Sequence, residues 1–435
     1  MAKYSELPFN VTERIIDGQY IREYPAATVS QDSLKLAVKK YTPVDNPNPQ
    51  PGDVTFIGAH GAGFLKELYE PLWEDLLIQS GKDGFRIRAV WIADTANLGA
   101  SGIHNEEILG NDPSWFDHSR DLMCMINHFR DEMPQPIIGI GHSMGAGQLV
   151  LLSLMHPRLF ASLILVEPVI AKDIFSGYAP QLTLMSLKQR DTWPSKSAAI
   201  QAASKTYKRW DSRVLERWNK HGYRSLPAPA YPQKYPENSQ SDPPVTLKNS
   251  KYQEVLHYLR PNYSGKSPPE QGDPRNDAAY DPVFYPDIIG PAYATSPFYR
   301  SEGPIAWKMV KHVRPPLLYV FGEKSPMSTP EKRAGLLKRT GTGLGGNGGA
   351  KRARVKEVVI QGTGHMLPLE MVAETANAVG PWVAQEIDQW QEIQTRMAQK
   401  WKNCSVEERL KISEKWMPIL EDLLKPDEQK RGSRL

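Results

Sequence analysis

Ile137-Ile138-Gly139-Ile140-Gly141-His142-Ser143-Met144-Gly145-Ala146-Gly147-Gln148-Leu149 is the stretch that decides the fold. The β-branched run up to residue 142 predicts a buried strand, and the apolar segment 145–156 predicts a helix. Between them Gly141 and Gly145 bracket a serine in a G-x-S-x-G pattern. A strand that turns directly into a helix holds that serine in a tight, strained backbone, where a Cβ at either glycine would clash. Its hydroxyl is then exposed at the sheet's end, beside the positive terminus of the helix. Ser143 is therefore the candidate nucleophile, and the backbone N–H of Met144 a candidate oxyanion donor.

Outward from this turn, short β-like runs alternate with helical patterns, which implies a parallel sheet. Residues 53–59, 86–92 and 161–166 read as buried central strands, and 34–41 as an earlier, half-exposed one. Helices are expected over 66–79, 115–133 and 145–156. Strand rhythm resumes at 315–321 and 355–360, followed by helices over about 366–400 and 405–424. Between 171 and 305 no convincing buried strand is visible, only helical patches around 196–222 and 249–259 joined by proline-rich connectors. So long a segment reads as an inserted helical cap that roofs the serine. The expected organisation is a core over 1–170 and 306–400, the cap over 171–305, and a C-terminal helix with a tail over 401–435. The glycine-rich Gly341–Gly349 contains a G-x-G-x-x-G match, but no strand precedes it and no apolar helix follows. It is expected to be a surface loop.

The remaining chemistry should sit where strands end. After strand 53–59 comes His60-Gly61-Ala62-Gly63-Phe64, small enough for backbone to approach a substrate; the N–H of Ala62 is the second candidate oxyanion donor. After the last strand comes Gly362-Thr363-Gly364-His365, and His365 is the one histidine of ten with the placement of a general base. Two acids are available. Glu167 ends strand 161–166, where a buried carboxylate needs a partner, and it is favoured. Glu323, one residue past Gly322, is the alternative. Gly61, Gly63, Phe64, His142 and Trp193 stand as candidate substrate contacts. Trp193, Tyr207, Trp210 and Trp218 could form an aromatic ceiling or simply the cap's own core, and Asp94 and Asn105 could wall a pocket or only hold their loop.

These features describe an α/β-hydrolase fold: a mostly parallel central sheet, helices on both faces and an inserted helical cap. A serine nucleophile disfavours the epoxide hydrolase and dehalogenase chemistries of this fold, which need aspartate. Ester, thioester, amide and some C–C cleavages through an acyl-enzyme remain open.

Composition narrows the class further. The 435 residues are 40% hydrophobic and 23% charged, with a net charge of +4 and no basic, aromatic-interleaved stripe for nucleic acid. Two cysteines, Cys124 and Cys404, make neither a disulfide framework nor a zinc site, and no metal or cofactor is called for. The first residues lack the apolar stretch of a secretory signal, and no membrane-spanning run occurs, so an intracellular, reduced setting is expected. The chain ends in Ser433-Arg434-Leu435, a conservative variant of the Ser-Lys-Leu address read by the peroxisomal import receptor. The expected location is the peroxisomal matrix.

The chain resembles the fungal peroxisomal α/β-hydrolases, which include the acyl-CoA hydrolase of mycophenolic acid biosynthesis, host-selective-toxin biosynthesis hydrolases and a yeast peroxisomal lipase. The resemblance runs close to full length. It is carried by Ile21-Arg22-Glu23-Tyr24-Pro25, Lys66-Glu67-Leu68-Tyr69-Glu70-Pro71-Leu72-Trp73, Ser101-Gly102-Ile103-His104-Asn105-Glu106, Ile126-Asn127-His128-Phe129-Arg130-Asp131, the serine turn, Val245-Thr246-Leu247 and the C-terminal tripeptide. It implies a triad of Ser143, Glu167 and His365. The acyl-CoA hydrolase has aspartate at the strand end where this chain has Glu167, and bulkier residues around Met144-Gly145-Ala146. The resemblance, not the spacing, implies the substrate: an acyl-CoA thioester of a fungal metabolite, with a medium-to-large acyl group. A lipase or carboxylesterase is the alternative, and a catalytically idle binding protein on the same scaffold is a third reading. Whether the C-terminal helices pack on their own subunit or on that of a homodimer is left open.

Overall fold

A computed structural model describes residues 7–172, 178–232, 242–261, 287 and 298–425. Its centre is an eight-stranded sheet. The first six strands are β1 (Phe9–Asp17), β2 (Lys35–Pro43), β3 (Val54–Ala59), β4 (Ile87–Ala93), β5 (Ile137–His142) and β6 (Ser162–Val166). The region after β6 adds short strands β7 (Thr192–Trp193), β8 (Tyr223–Ser225), β9 (Val245–Leu247), β10 (Arg260–Pro261) and β11 (Phe298–Tyr299). Two more sheet strands follow, β12 (Leu317–Gly322) and β13 (Val355–Ile360). The order is β1-β2-β4-β3-β5-β6-β12-β13. Pairing is antiparallel at β1–β2 and β2–β4, and parallel from β4 onward.

Strands β3, β5, β6 and β12 are buried along their whole length because helices cover both faces. The two-residue period sends alternate side chains to separate cores. Ile164 and Val166 enter one cluster with Leu72, Trp73 and Leu76 of α1 (Glu70–Asp83). Leu163 and Leu165 enter the other with Leu122 and Met125, then Leu149 and Val150. Those pairs belong to α3 (Trp115–His128) and α4 (Met144–Met155); the short α2 (Gly99–Asn105) lies between α1 and α3. Helix α4 is buried nearly all round, so its sequence shows a continuous apolar run rather than a stripe.

The strands read from the sequence are all present. Strand β1 was not among them: all but two of its residues are exposed, so no apolar alternation marks it. The segment between β6 and β12 corrects a second expectation. It holds a small antiparallel sheet, β7-β9-β8, whose central β9 is fully buried. Two or three residues are too few to display a period. Around it stand helices Ala179–Lys188, Lys196–Thr206, Ser212–His221 and Lys251–Val255. Helix Ser212–His221 is tied to the sheet domain by charge. Arg217 Nε lies 2.7 Å from Glu70 Oε2, and Arg213 pairs with Asp75 at 2.7 Å. Breaking such a buried pair by removing one partner costs about 3–5 kcal/mol.

The Gly341–Gly349 loop is pinned at the N-terminal edge of the sheet. Asn347 Nδ2 donates to the Pro315 carbonyl at 2.9 Å and Gly343 N–H to that of Lys311 at 2.7 Å. Residues Met1–Ile387 form one compact unit and Asp388–Leu435 a second. The second contains the end of helix Val372–Lys402 and the short helices Val406–Leu410 and Trp416–Leu424, the former started by a Ser405/Glu408 capping box. Ser433, Arg434 and Leu435 lie outside the described residues. Among the described residues no helix is long and apolar enough to cross a membrane.

Candidate active site

Five chain segments meet at the C-terminal edge of the sheet. Strand β5 delivers Ser143 in a backbone that only strain permits, at φ 56° and ψ −116°. Gly145 is obligatory here, since a Cβ on it would collide with the Ala59 carbonyl. The adjacent β6 ends in Glu167, also at positive φ (48°). Main-chain bonds lock the two side by side: Ser143 N–H to Val166 O at 2.9 Å and Val169 N–H to Ser143 O at 3.1 Å. Gly322 at the end of β12 lets the loop after β13 come close, because a Cβ there would press on the Gly364 carbonyl.

That loop carries His365. Its Nδ1 lies 3.1 Å from Glu167 Oε2 and its Nε2 2.9 Å from Ser143 Oγ. A carboxylate only accepts, so Nδ1 bears the hydrogen and Nε2 presents its lone pair to the serine hydroxyl. Glu167 is fully buried. It also accepts from Gly322 N–H at 2.7 Å, Ser325 Oγ at 2.5 Å and Ser328 Oγ at 2.8 Å. Burial alone would raise this carboxyl. The hydrogen bonds from His365, Ser325 and Gly322 outweigh it and hold the group ionised, below the ordinary glutamate value. Glu323 instead turns away, and its Oε2 accepts from Gly362 N–H at 3.0 Å.

Ala62, Phe64, Ser143, Met144 and His365 line one cavity. Its walls are mainly apolar, with Val169, Met327 and Met366 from the sheet domain. Ala179, Leu182, His257 and Tyr258, from the segment between β6 and β12, close over it and leave Ser143 only 7% exposed. Met144 opens α4, so its N–H has no acceptor within the helix.

Gly61, Gly63, His142 and Trp193 do not line the cavity. Gly61 abuts Ser143 from below, where a Cβ would meet His142 and Phe64. Gly63 is packed against Glu254. Trp193 stacks edge-on to Tyr223 in the small β7-β9-β8 sheet, 5.6 Å between ring centres, which buries it away from the cavity. Tyr207, Trp210 and Trp218 pack on each other at 4.1 to 5.9 Å and make the interior of that segment. Asp94 holds its loop through Lys66 Nζ at 2.5 Å and Ala100 N–H at 2.9 Å, and Asn105 does so through the Lys35 main chain.

His142 has a different place from the one expected. Its Nε2 lies 3.0 Å from the His365 carbonyl, which can only accept, so Nε2 carries the hydrogen. Burial, with the nearby His365, pushes the imidazole down to about 3, so the ring is neutral and Nδ1 accepts from Tyr69 Oη at 2.8 Å. Tyr69 Oη in turn accepts from Gly61 N–H at 2.9 Å. Sequence reasoning did not single out Tyr69 or Ser328, whose partners lie 73 and 161 residues away.

A family model described as the alpha/beta hydrolase family matches residues 56–378. The type I acyl-CoA thioesterase mpaH' of Penicillium brevicompactum is 39% identical over 429 residues, covering 95% of this chain and 96% of the relative. The type I acyl-CoA thioesterase mpaH of Penicillium roqueforti (strain FM164) is 37% identical over 439 residues, covering 98% of both. Among solved structures, the peroxisomal alpha-beta-hydrolase Lpx1 of Saccharomyces cerevisiae superposes with a TM-score of 0.65 at 18% identity, covering 92% of this chain and 99% of that one.

Proposed function

Because the chain belongs to the alpha/beta hydrolase family, we propose that it cleaves acyl-CoA thioesters through an acyl-enzyme on Ser143. The observation that carries the reading is the unbroken hydrogen-bonded chain from Ser143 through His365 to Glu167, opening into a roofed apolar cavity. The near full-length similarity to acyl-CoA thioesterases supports the substrate class.

In this reading His365 Nε2 takes the Ser143 proton as Oγ adds to the thioester carbonyl. Glu167 stays ionised and steadies the imidazolium that forms. The N–H groups of Ala62 and Met144 receive the oxyanion, the latter aided by the α4 dipole. Collapse breaks the C–S bond, and His365 returns its proton to the departing CoA thiolate. A water, deprotonated by the same nitrogen, then releases the carboxylic acid and restores Ser143. The mainly apolar cavity holds the acyl group, each buried methylene contributing about 0.8 kcal/mol. Medium-to-large acyl groups should therefore outpace acetyl. We further propose the peroxisome as its location, with Ser433-Arg434-Leu435 as the address that the import receptor would read.

The test uses the purified full chain, a series of acyl-CoAs with thiol detection, and matched oxoesters. Thiol release is expected from acyl-CoAs, rising with acyl size and abolished in Ser143→Ala. Higher kcat/KM on the matched oxoesters would make the enzyme an esterase. Normal turnover by a folded Ser143→Ala protein would end the mechanism.

A further inference from the structure

The loop that carries Ala62 is held from both sides by residues distant in the chain. Gly61 to Phe64 form a turn, closed by Phe64 N–H donating to the Gly61 carbonyl at 3.2 Å. Two of its four residues are glycine, so its backbone has unusual freedom unless something fixes it. Before Ala62 the sheet domain supplies the anchor. Thr95 N–H donates to His60 Nε2 at 3.0 Å, which leaves the hydrogen on Nδ1, and Nδ1 donates to the Gly61 carbonyl at 2.9 Å. Among the described residues, Ala62 N–H itself has no acceptor.

After Ala62 the anchor comes from the segment between β6 and β12. Asn249 follows β9 and is buried. Its Nδ2 donates to the Gly63 carbonyl at 2.9 Å, the single hydrogen bond to that oxygen among the described residues. Its Oδ1 accepts from Gly99 N–H at 2.5 Å. A main-chain acceptor at one end and a main-chain donor at the other fix which way the amide faces. The base is firm, because the Asp94 carboxylate closes on Gly99 and accepts from Ala100 N–H at 2.9 Å. Gly63 is also backed by Glu254: at φ 78° it has no Cβ, and one would lie 2.7 Å from the Glu254 carboxyl carbon. Glu254 accepts from Ser186 Oγ at 2.7 Å and from Tyr258 Oη at 2.9 Å. Ser186 stands on the helix Ala179–Lys188 that closes over the cavity, and Tyr258 in the cavity wall.

The roof over Ser143 is therefore also a clamp on this turn. We propose that Asn249 is a positioning residue for the oxyanion hole: it fixes the Gly63 carbonyl and so holds Ala62 N–H where the oxyanion forms. The proposal rests on the reading of Ala62 N–H as an oxyanion donor in acyl transfer at Ser143. Such a donor must be in place before charge develops, because reorganising it during the reaction forfeits stabilisation. Without Asn249 the Gly63 carbonyl loses its anchor, and the turn samples conformations in which the N–H is displaced. Substrate binding should change little, since Asn249 does not line the cavity.

The test uses the full chain with Asn249→Ala and Asn249→Asp, folding being checked by circular dichroism. Asn249→Ala should lose about tenfold to a hundredfold in kcat with KM within a fewfold. It should bind an alkyl trifluoromethyl ketone more weakly by a similar factor, because Ser143 Oγ adds to that carbonyl and leaves the same oxyanion. Its affinity for the carboxylic acid product, read by calorimetry, should stay unchanged. In Asn249→Asp only the protonated carboxyl can donate to the Gly63 carbonyl, so kcat relative to wild type should rise as the pH is lowered. Normal kcat in a folded Asn249→Ala protein would overturn the proposal. If that variant does not fold, a pH-independent ratio in Asn249→Asp overturns it, and so does a failure of both variants to fold. The outcome does not depend on the leaving group. Oxoester turnover with these losses, and no thiol release from any acyl-CoA, would keep the positioning role and reject the thioesterase reading. Thiol release by the wild type with kcat unchanged in both variants would do the reverse.

Discussion

His142 Nε2–H donates to the main-chain carbonyl of His365 at 3.0 Å, so the residue before the serine holds the loop that carries the imidazole facing it. The other ring nitrogen accepts from Tyr69 Oη, which accepts from Gly61 N–H. One neutral histidine thereby couples the Gly61–Phe64 loop to the His365 loop. Both loops border the cavity.

Tyr69→Phe should break this coupling. Gly61 N–H and His142 Nδ1 would each lose a buried partner, at a cost of about 1–3 kcal/mol. If the link positions the reacting groups, kcat should fall by about tenfold to a hundredfold with KM little changed. Steady-state thiol release, with circular dichroism to check folding, measures this. A folded Tyr69→Phe enzyme with unchanged kcat would reduce the link to packing.

Glu167→Gln should damage turnover far more than Glu323→Gln. Glu167 accepts from Gly322, Ser325, Ser328 and His365, and an amide nitrogen in its place would face donors. A neutral amide also fails to stabilise the imidazolium, and a loss of about 10³–10⁴ in kcat is expected. Among the described residues, Glu323 holds only the Gly362 N–H near the surface, so its variant should stay within a fewfold of wild type. The opposite ranking would transfer the acid to Glu323.

Stability should fall as the pH drops below neutrality. Burial holds His60, His118, His142, His221 and His257 below the ordinary value of 6.5, with His142 and His221 at about 3. Below pH 6.5 the unfolded chain binds protons there that the folded protein does not, so unfolding is favoured as pH decreases. This contribution is complete above pH 6.5 and is lost progressively toward pH 3. Buried carboxyls oppose it, above all Asp117, which burial pushes up to about 7. Glu74, Asp112, Asp121, Glu254 and Glu386 are also raised by burial. Because the five histidines of the unfolded chain titrate inside the window, the melting temperature should be lower near pH 5.5 than at pH 7.5. A flat or rising profile on acidification would mean that the carboxyls dominate.

Deleting Ser433-Arg434-Leu435 should leave activity in vitro unchanged, since an address read by a receptor must be accessible outside the fold. In cells the deletion should move an N-terminally tagged protein from peroxisomes to the cytosol. Fluorescence microscopy checks it, and unaltered localisation would remove the tripeptide's role.

The sequence by itself determined the strand–serine–helix turn, the parallel core and the positions of Ser143, Glu167 and His365 at strand ends. These are local matters: β-branched runs, a serine between two glycines and a histidine after the last strand are each legible within about ten residues. The tertiary structure decided everything that depends on partners far apart in the chain. The choice between Glu167 and Glu323 as neighbour of His365 turned on which carboxylate lies under the imidazole, and that follows from β6 pairing with β12. Trp193 looked like a pocket residue and is packed in a three-stranded sheet too short to leave a periodic trace. His142 looked like a substrate contact and is a neutral link between two loops. Hydrogen-bond satisfaction is a property of the folded surroundings, and no window of sequence contains it.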